Sequence, residues 1–235
     1  GRNPNLETVE QFYSLGMVVG EITRELGEIN IEKNPIYSPC YELEKSYPKC
    51  PLNRVIEFCI NPPEDFNKEK NELVELSSYF IKFKECIPDL RKLPHQLIHG
   101  DINASNVLED ENNNISAILD FEFVAKDLRA MDLAICLSEA ISNKNSDEFK
   151  FKCMKRFIDG YKKNINLTID EIKAVPKLIM LRRLDVIVHF LVRYNEGISN
   201  SFMSATEILR EQIIKAVTLC KWASENESKI IKLFI

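Results

Sequence analysis

Apolar residues recur at steps of three and four along most of the chain, and this spacing limits the fold to a mainly helical one. In residues 6–27, Phe12, Leu15 and Val19 fall on one helix face. Gly27 is typical of a helix end. The same spacing predicts further helices over residues 52–60, 64–87, 129–142, 147–163, 168–194 and 205–224.

Local signals add detail to this helical pattern. Thr168 and Glu171 have the Thr-x-x-Glu spacing of a capping box, which predicts the start of a long helix. Gly16 and Gly20 lie inside the first helical pattern, where we expect them to permit the close approach of another helix. Residues 28–51 contain four prolines and predict an irregular connection with at most one short turn.

One segment interrupts the helical spacing. Between residues 96 and 120, short apolar stretches at 97–98, 107–108 and 115–119 alternate with polar loops. The three asparagines at 112–114 favour a turn between two of these stretches. The sequence therefore predicts a mainly α fold with a small β-hairpin element at its centre.

Composition and charge exclude several classes of protein. The net charge of −5 at pH 7 disfavours a dedicated nucleic-acid binder, which usually carries a basic face. Arg182, Arg183 and Asp185 interrupt the most apolar stretch, 177–194, so no run approaches the roughly 20 residues of a membrane helix. The polar first residues do not resemble a signal peptide. We therefore expect a cytoplasmic protein with no nucleic-acid or membrane partner.

Cysteine usage agrees with that expectation. The chain has seven cysteines, which are widely spaced and include no Cys-x-x-Cys pair. This pattern disfavours a zinc ribbon or a disulfide framework. Cys59, Cys136 and Cys220 lie in apolar, helical contexts, which predicts reduced and buried thiols.

Polar residues around the predicted hairpin have the types and the order that phosphoryl transfer to a hydroxyl requires. Such a transfer needs a carboxylate to accept the hydroxyl proton and oxygen ligands to hold Mg²⁺ against the phosphates. Asp101 would face the hydroxyl. Asn106, five residues later, and Asp120, at the end of the next strand, would hold the metal. His99 would fix the loop by hydrogen bonds.

These residues also form a family motif. The order His99-Gly100-Asp101-x4-Asn106, followed by Asp120 within Ile-Leu-Asp-Phe-Glu, resembles the aminoglycoside phosphotransferase family, which shares the protein-kinase-like fold. Residues 129–134, Arg-Ala-Met-Asp-Leu-Ala, resemble the start of the family's Asp-Leu-Ala helix. The residues of both segments are most similar to those of the homoserine kinase type II-like bacterial group.

The resemblance implies a role for each motif residue. Asp101 resembles the catalytic base and His99 the residue that anchors its loop. Asn106 and Asp120 resemble the ligands of Mg²⁺, and Asp132 resembles a buried structural brace behind the loop. ATP and Mg²⁺ are the implied cofactors.

Two further residues are candidates for the acceptor site. Glu122 would line that site or simply be solvated, and Asn103 is the second candidate. The acceptor itself stays open among an amino acid, an aminoglycoside, choline and a sugar-like molecule.

The N-terminal lobe of such kinases has no counterpart in the pattern. The chain contains neither Gly-x-Gly-x-x-Gly nor a Walker A sequence. We therefore expect residues 1–235 to form a single C-terminal lobe of a protein-kinase-like α+β fold. Its predicted parts are a helical first part (6–95), a catalytic loop with a metal-binding hairpin (96–127) and a helical substrate-side part (128–235).

Three explanations account for the missing lobe: a piece of a larger enzyme, a separate N-lobe chain, or a shortened pseudokinase. The leading hypothesis is ATP- and Mg²⁺-dependent phosphorylation of a small-molecule hydroxyl, with an N-lobe in the same or another chain as partner. The alternative is a binding or regulatory module without catalysis. A metal-dependent phosphohydrolase is disfavoured, because the sequence has only three histidines as possible metal ligands: His95, His99 and His189.

Overall fold

The computed structural model describes residues 1–30, 37–142, 146–199 and 202–235, and these are mostly helical. The helices are α1 (Val9–Glu28), α2 (Leu43–Ser46), α3 (Leu52–Ile60), α4 (Lys70–Leu90), α5 (Met131–Ser142), α6 (Asp147–Tyr161), α7 (Ile169–Asn195), α8 (Ala205–Glu225) and α9 (Glu227–Lys232). The strands are β1 (His95–Ile98), β2 (Val107–Glu109), β3 (Ile115–Ile118) and β4 (Ala125–Leu128).

The chain groups into two compact units. The first contains residues Gly1–Pro39, Leu93–Ile179 and Asn226–Ile235, and the second contains Cys40–Lys92 and Met180–Glu225. The division of a single C-lobe at residues 95 and 127 stays a prediction. Part of the predicted irregular connection, residues 31–36, lies outside the described residues, and the short turn expected after it is α2.

The first unit contains two antiparallel strand pairs. β2 and β3 form the predicted hairpin, with Val107 opposite Ile118, and Asn113 has the left-handed φ of 61° that such a turn accepts. β1 pairs with β4, with Ile98 opposite Ala125. The sequence did not predict β4. This second pairing sets His95, the first residue of β1, beside Leu128, the last residue of β4, and α5 begins three residues after Leu128.

Helix α1 packs along α6 in the first unit at a distance that excludes side chains at the contact. A Cβ atom added at Gly16 would lie 2.0 Å from the carbonyl oxygen of Phe157, and one added at Gly20 would lie 2.6 Å from that of Tyr161. This confirms the predicted role of the glycine pair. Gly160 of α6 likewise leaves room for the backbone of α1 at this contact.

Several predicted helix ends need correction. α1 begins at Val9 and not at residue 6, because Thr8 and Gln11 form a capping box at that point. Gly27 lies inside α1 against the Gln96 side chain and does not end the helix. α5 begins two residues later than predicted, because β4 extends to Leu128. Residues 64–69 form a 3-10 helix before α4, and Asn226 separates α8 from α9.

Aromatic and aliphatic side chains form the core of the second unit. The predicted stripe of α4 is buried: Leu73, Leu76, Phe80 and Phe83. α3 and α8 both pack against α4. Within the described ranges, no helix combines the length and the apolar character that crossing a bilayer requires.

All seven cysteines lie in the described ranges and are free thiols. Burial raises the pKa of the Cys59 and Cys220 thiols to about 12. Five thiols are buried, whereas Cys40 and Cys86 are half-buried.

The close contact of α1 and α6 predicts a selective effect of alanine. Gly16→Ala should lower the free energy of unfolding by about 2 kcal/mol, because the new methyl group meets backbone and not a movable side chain. Gly27→Ala, in the same helix, meets the flexible Gln96 amide and should be neutral or stabilising by up to about 1 kcal/mol. Urea denaturation followed by circular dichroism measures both. Equal effects at the two positions would contradict the packing argument.

Thiol burial predicts the order of chemical modification. Under native conditions at pH 8, Cys40 and Cys86 should react with a thiol reagent first, because their side chains are accessible and the other five are buried. The buried thiols should react only on unfolding. Mass spectrometry of the labelled peptides measures this order, and early labelling of Cys59 or Cys220 would contradict it.

Candidate active site

A buried aspartate holds the loop that follows β1. Asp132, the second residue of α5, has no exposed surface, and its two carboxylate oxygens accept hydrogen bonds from the backbone N–H groups of His99 and Gly100, both at 2.8 Å. Burial raises the pKa of Asp132, while these two N–H groups and His99 act in the opposite direction. The carboxylate therefore fixes the backbone at the start of the loop.

Gly100 suits this position for two reasons. Its φ of 85° lies in the left-handed region that favours glycine, and a Cβ atom there would lie 2.8 Å from the carbonyl oxygen of Phe123. The loop thus approaches the backbone after β3 more closely than any side chain would allow.

His99 connects the loop to the end of β3. Its ring is buried, Nδ1 accepts the backbone N–H of Asp101 at 3.3 Å, and Nε2 lies 2.9 Å from the carbonyl oxygen of Leu119. Because Nδ1 accepts a hydrogen bond, Nε2 carries the proton and donates it to Leu119. The imidazole of His99 therefore links Asp101 to Leu119, the residue directly before Asp120.

Two asparagine amides hold the carboxylate of Asp101. Asn103 and Asn106 each donate from Nδ2 to Asp101 Oδ2 at 3.1 Å, and both also donate to the Asp101 carbonyl oxygen. The Asp101 side chain is half-buried. The amides fix one carboxylate oxygen, so the orientation of the whole carboxylate is defined.

Asp120 lies two residues after the end of β3, beside this loop. The N–H of Leu119 donates to the carbonyl oxygen of Asn106 at 2.8 Å, so Asp120 is one residue beyond that bond. Asp120 is exposed and has left-handed backbone angles, φ 64° and ψ 72°, which aspartate adopts more readily than most residues. Non-glycine residues in this region often mark functional sites.

The predicted residues divide into a bonded network and its surroundings. The structure joins His99, Asp101, Asn103, Asn106 and Asp132 by hydrogen bonds, and it sets Asp120 beside them through the backbone. Glu122 lies in the exposed turn Phe121–Phe123, outside the network formed by the described residues. The chemical roles assigned to all seven residues stay predictions.

The donor atoms at this site fit a hard cation. Mg²⁺ prefers oxygen ligands and commonly takes one or two protein carboxylates together with phosphate oxygens. Asn106 directs its amide nitrogen to Asp101, which turns its Oδ1 away from that carboxylate, and Asp120 offers an exposed carboxylate. In the described part of the chain, no group of three or more His, Cys, Asp or Glu side chains is arranged to hold a metal ion without such help.

One contact near the site was not predicted from the sequence. Arg129, directly after β4, forms a bidentate ion pair with Glu171 near the start of α7. The sequence identified Glu171 as a helix cap, which it is, since its carboxylate accepts the N–H and hydroxyl of Thr168. Its pairing with Arg129 spans 42 residues, and no local signal indicates it.

Residues 44–165, just over half of the chain, match the model of the APH phosphotransferase enzyme family. The matched part includes the whole bonded network. The chain therefore belongs to this family, as the motif resemblance predicted.

Curated relatives are homoserine kinases. That of Sinorhizobium medicae (strain WSM419) is 34% identical over 103 residues, which cover 44% of this chain and 30% of the relative. That of Zymomonas mobilis subsp. mobilis (strain ATCC 31821 / ZM4 / CP4) is 35% identical over 92 residues, or 39% of this chain and 28% of the relative. The chain thus matches less than a third of the length of these relatives.

Solved structures share the fold at low sequence identity. An aminoglycoside phosphotransferase from Alicyclobacillus acidocaldarius has a TM-score of 0.66 and 14% identity, over 98% of this chain and 69% of that one. Amicoumacin kinase hAmiN, in complex with AMP-PNP, Ca²⁺ and Ami, has a TM-score of 0.59 and 15% identity, over 89% and 59% of the two chains. The mainly helical chain therefore has a kinase-like fold of the APH type.

Replacement of Asp132 should be costly for stability. Asp132→Asn puts an amide N–H₂ group against one of two buried backbone N–H donors, and we expect the free energy of unfolding to fall by about 3 kcal/mol. Asp159→Asn, on an outer turn of α6, removes an ion pair with Lys155 that is largely exposed and should change stability little. Chemical denaturation of both variants measures the difference, and a small loss for Asp132→Asn would contradict the bracing geometry.

Proposed function

We propose that the chain carries the catalytic and metal-binding part of a small-molecule kinase that uses ATP and Mg²⁺ to phosphorylate a hydroxyl group. The observation that carries this proposal is the fixed carboxylate of Asp101, held by two amides in a loop that Asp132 and His99 brace. Membership of the phosphotransferase enzyme family supports it.

Asp101 is the proposed base. Its carboxylate orients the acceptor hydroxyl and accepts its proton as the oxygen attacks phosphorus, while the nucleotide leaves as the diphosphate. The hydrogen bonds from Asn103 and Asn106 define the direction of the carboxylate, so less orientation has to be achieved during the reaction.

Asn106 and Asp120 are the proposed ligands of Mg²⁺. When bound, the ion neutralises charge on the phosphate oxygens. The amide oxygen of Asn106 and the carboxylate of Asp120 are held on neighbouring chain segments by the hydrogen bond from Leu119 to Asn106. His99, which bonds to Leu119 and Asp101, keeps the proposed base and the proposed metal ligand in register.

The acceptor is proposed to be an amino acid hydroxyl. The curated relatives are homoserine kinases, and homoserine is therefore the first acceptor to test. Glu122 and Asn103 are the candidates for contacting it. We further propose that the chain represents the C-terminal lobe and acts with a nucleotide-binding N-lobe.

Two carboxylate-to-amide variants test the assignment. Asp101→Asn should retain Mg²⁺-dependent ATP binding but lower kcat about 10²- to 10⁴-fold, because the proton acceptor is lost. Asp120→Asn should lose the Mg²⁺ dependence of ATP binding. Calorimetry and a coupled assay of ADP release, with homoserine and other hydroxylated acceptors, measure these quantities.

Asp110→Asn is the matched control. Asp110 lies in the turn between β2 and β3 and accepts N–H groups of Asn112 and Asn114, a role that asparagine also performs. Full turnover by Asp101→Asn would refute the base assignment. Binding of an acceptor without turnover in the unmodified chain, with or without an added N-lobe, would favour the non-catalytic binding module.

A further inference from the structure

Arg129 and Glu171 form an ion pair that is largely shielded from water. Arg129 Nε donates to Glu171 Oε1 at 2.8 Å, and Nη2 donates to Oε2. The Glu171 side chain is 1% exposed and that of Arg129 is 20% exposed. A planar guanidinium bound by two parallel hydrogen bonds fixes direction as well as distance. The pair therefore sets the position of Arg129 relative to the start of α7.

The same carboxylate closes the first turn of α7. Glu171 Oε2 accepts the Thr168 N–H at 2.8 Å and the Thr168 hydroxyl at 2.9 Å, and the Glu171 N–H returns a bond to that hydroxyl. Glu171 cannot turn away from this cap without breaking these bonds. Arg129 is thus attached to a rigid helix start and not to a mobile side chain.

The backbone of Arg129 lies in the connection that aims Asp132. Its N–H donates to the carbonyl oxygen of Pro94 at 3.0 Å, next to the first residue of β1. It follows the last residue of β4 directly, and Asp132 comes three residues later. The two hydrogen bonds that Asp132 accepts from His99 and Gly100 depend on where this short connection lies.

We propose that Arg129 and Glu171 are positioning residues for the catalytic loop: their ion pair holds the connection between β4 and α5, so that Asp132 meets the N–H groups of His99 and Gly100. This inference rests on the proposed function, since that proposal is what gives the loop a catalytic role. Neither residue contacts the reacting atoms. A lysine at 129 keeps the charge but loses the bidentate geometry, so it should not replace arginine.

Amide hydrogen exchange measures how readily the hydrogen bonds of the loop open, and it does not require an active enzyme. In Arg129→Lys, the His99 and Gly100 amides should exchange about tenfold faster or more, because local opening of the Asp132 bonds becomes easier. The amide of Val19, in the core of α1, should change much less. Thr168→Ala is the matched control: it removes the hydroxyl of the helix cap but leaves the Arg129–Glu171 pair.

The control separates positioning from general stability. Thr168→Ala should leave exchange at His99 and Gly100 close to that of the unmodified chain. Equal acceleration of Val19, His99 and Gly100 in Arg129→Lys, or no acceleration at the two loop amides, would overturn the proposal. If Arg129→Lys does not fold, Glu171→Gln is the second variant, because its single amide oxygen can still accept from Thr168 while its N–H₂ group opposes one arm of the guanidinium and breaks the bidentate pair. The same selective acceleration at the loop is expected there, and its absence overturns the proposal.

Kinetics provide the second readout. In a chain that turns over, Arg129→Lys should lower kcat while leaving KM for the acceptor near its original value, since the loop and not the acceptor contact is displaced. A rise in KM with unchanged kcat would overturn the proposal. Absence of turnover in the unmodified chain, both alone and with an added N-lobe, would refute the proposed function, whereas the exchange pattern would still decide whether Arg129 positions the loop.

Discussion

A carboxylate without access to water accepts two backbone N–H groups at the start of the loop after β1, and the geometry of the site follows from that arrangement. With the backbone of His99 and Gly100 fixed by Asp132, the imidazole of His99 faces both Asp101 and Leu119. Because the carboxylate is buried, water cannot replace these hydrogen bonds when they break. Displacement of the loop is therefore costly. Site geometry and folding stability therefore depend on the same side chain.

The elements with local sequence signals were predicted well. The helix over 52–60 coincides with α3, because Pro51 precedes it and prolines follow at 62 and 63. The hairpin of β2 and β3 was found from its asparagine turn. The predicted end of α1 at Gly27 falls one residue before the observed end at Glu28, because a glycine inside the last turn of a helix has the same local signature as a glycine that ends it.

The missed features are non-local. β4 has the sequence Ala-Lys-Asp-Leu, which lacks the β-branched and aromatic residues typical of strands, and its partner β1 lies about 30 residues earlier. The Arg129–Glu171 pair joins two residue types that usually lie at the surface. The motif around His99 and Asp101 was recognisable because its residues are close in sequence. The contacts that hold the motif in place come from distant segments.

The pairing of β1 with β4 has a consequence for how the chain folds. His95 is paired with Leu128, and the N–H of His99 donates to Asp132, so both contacts close a loop of 33 residues. Closing such a loop costs chain entropy before any contact compensates for it. A chain emerging from the ribosome can form α1 and α4 from local contacts, but its Asp101 loop has no bracing partner until α5 has been synthesised. The hydrogen bonds that brace this loop therefore cannot form before α5 has been synthesised and has docked.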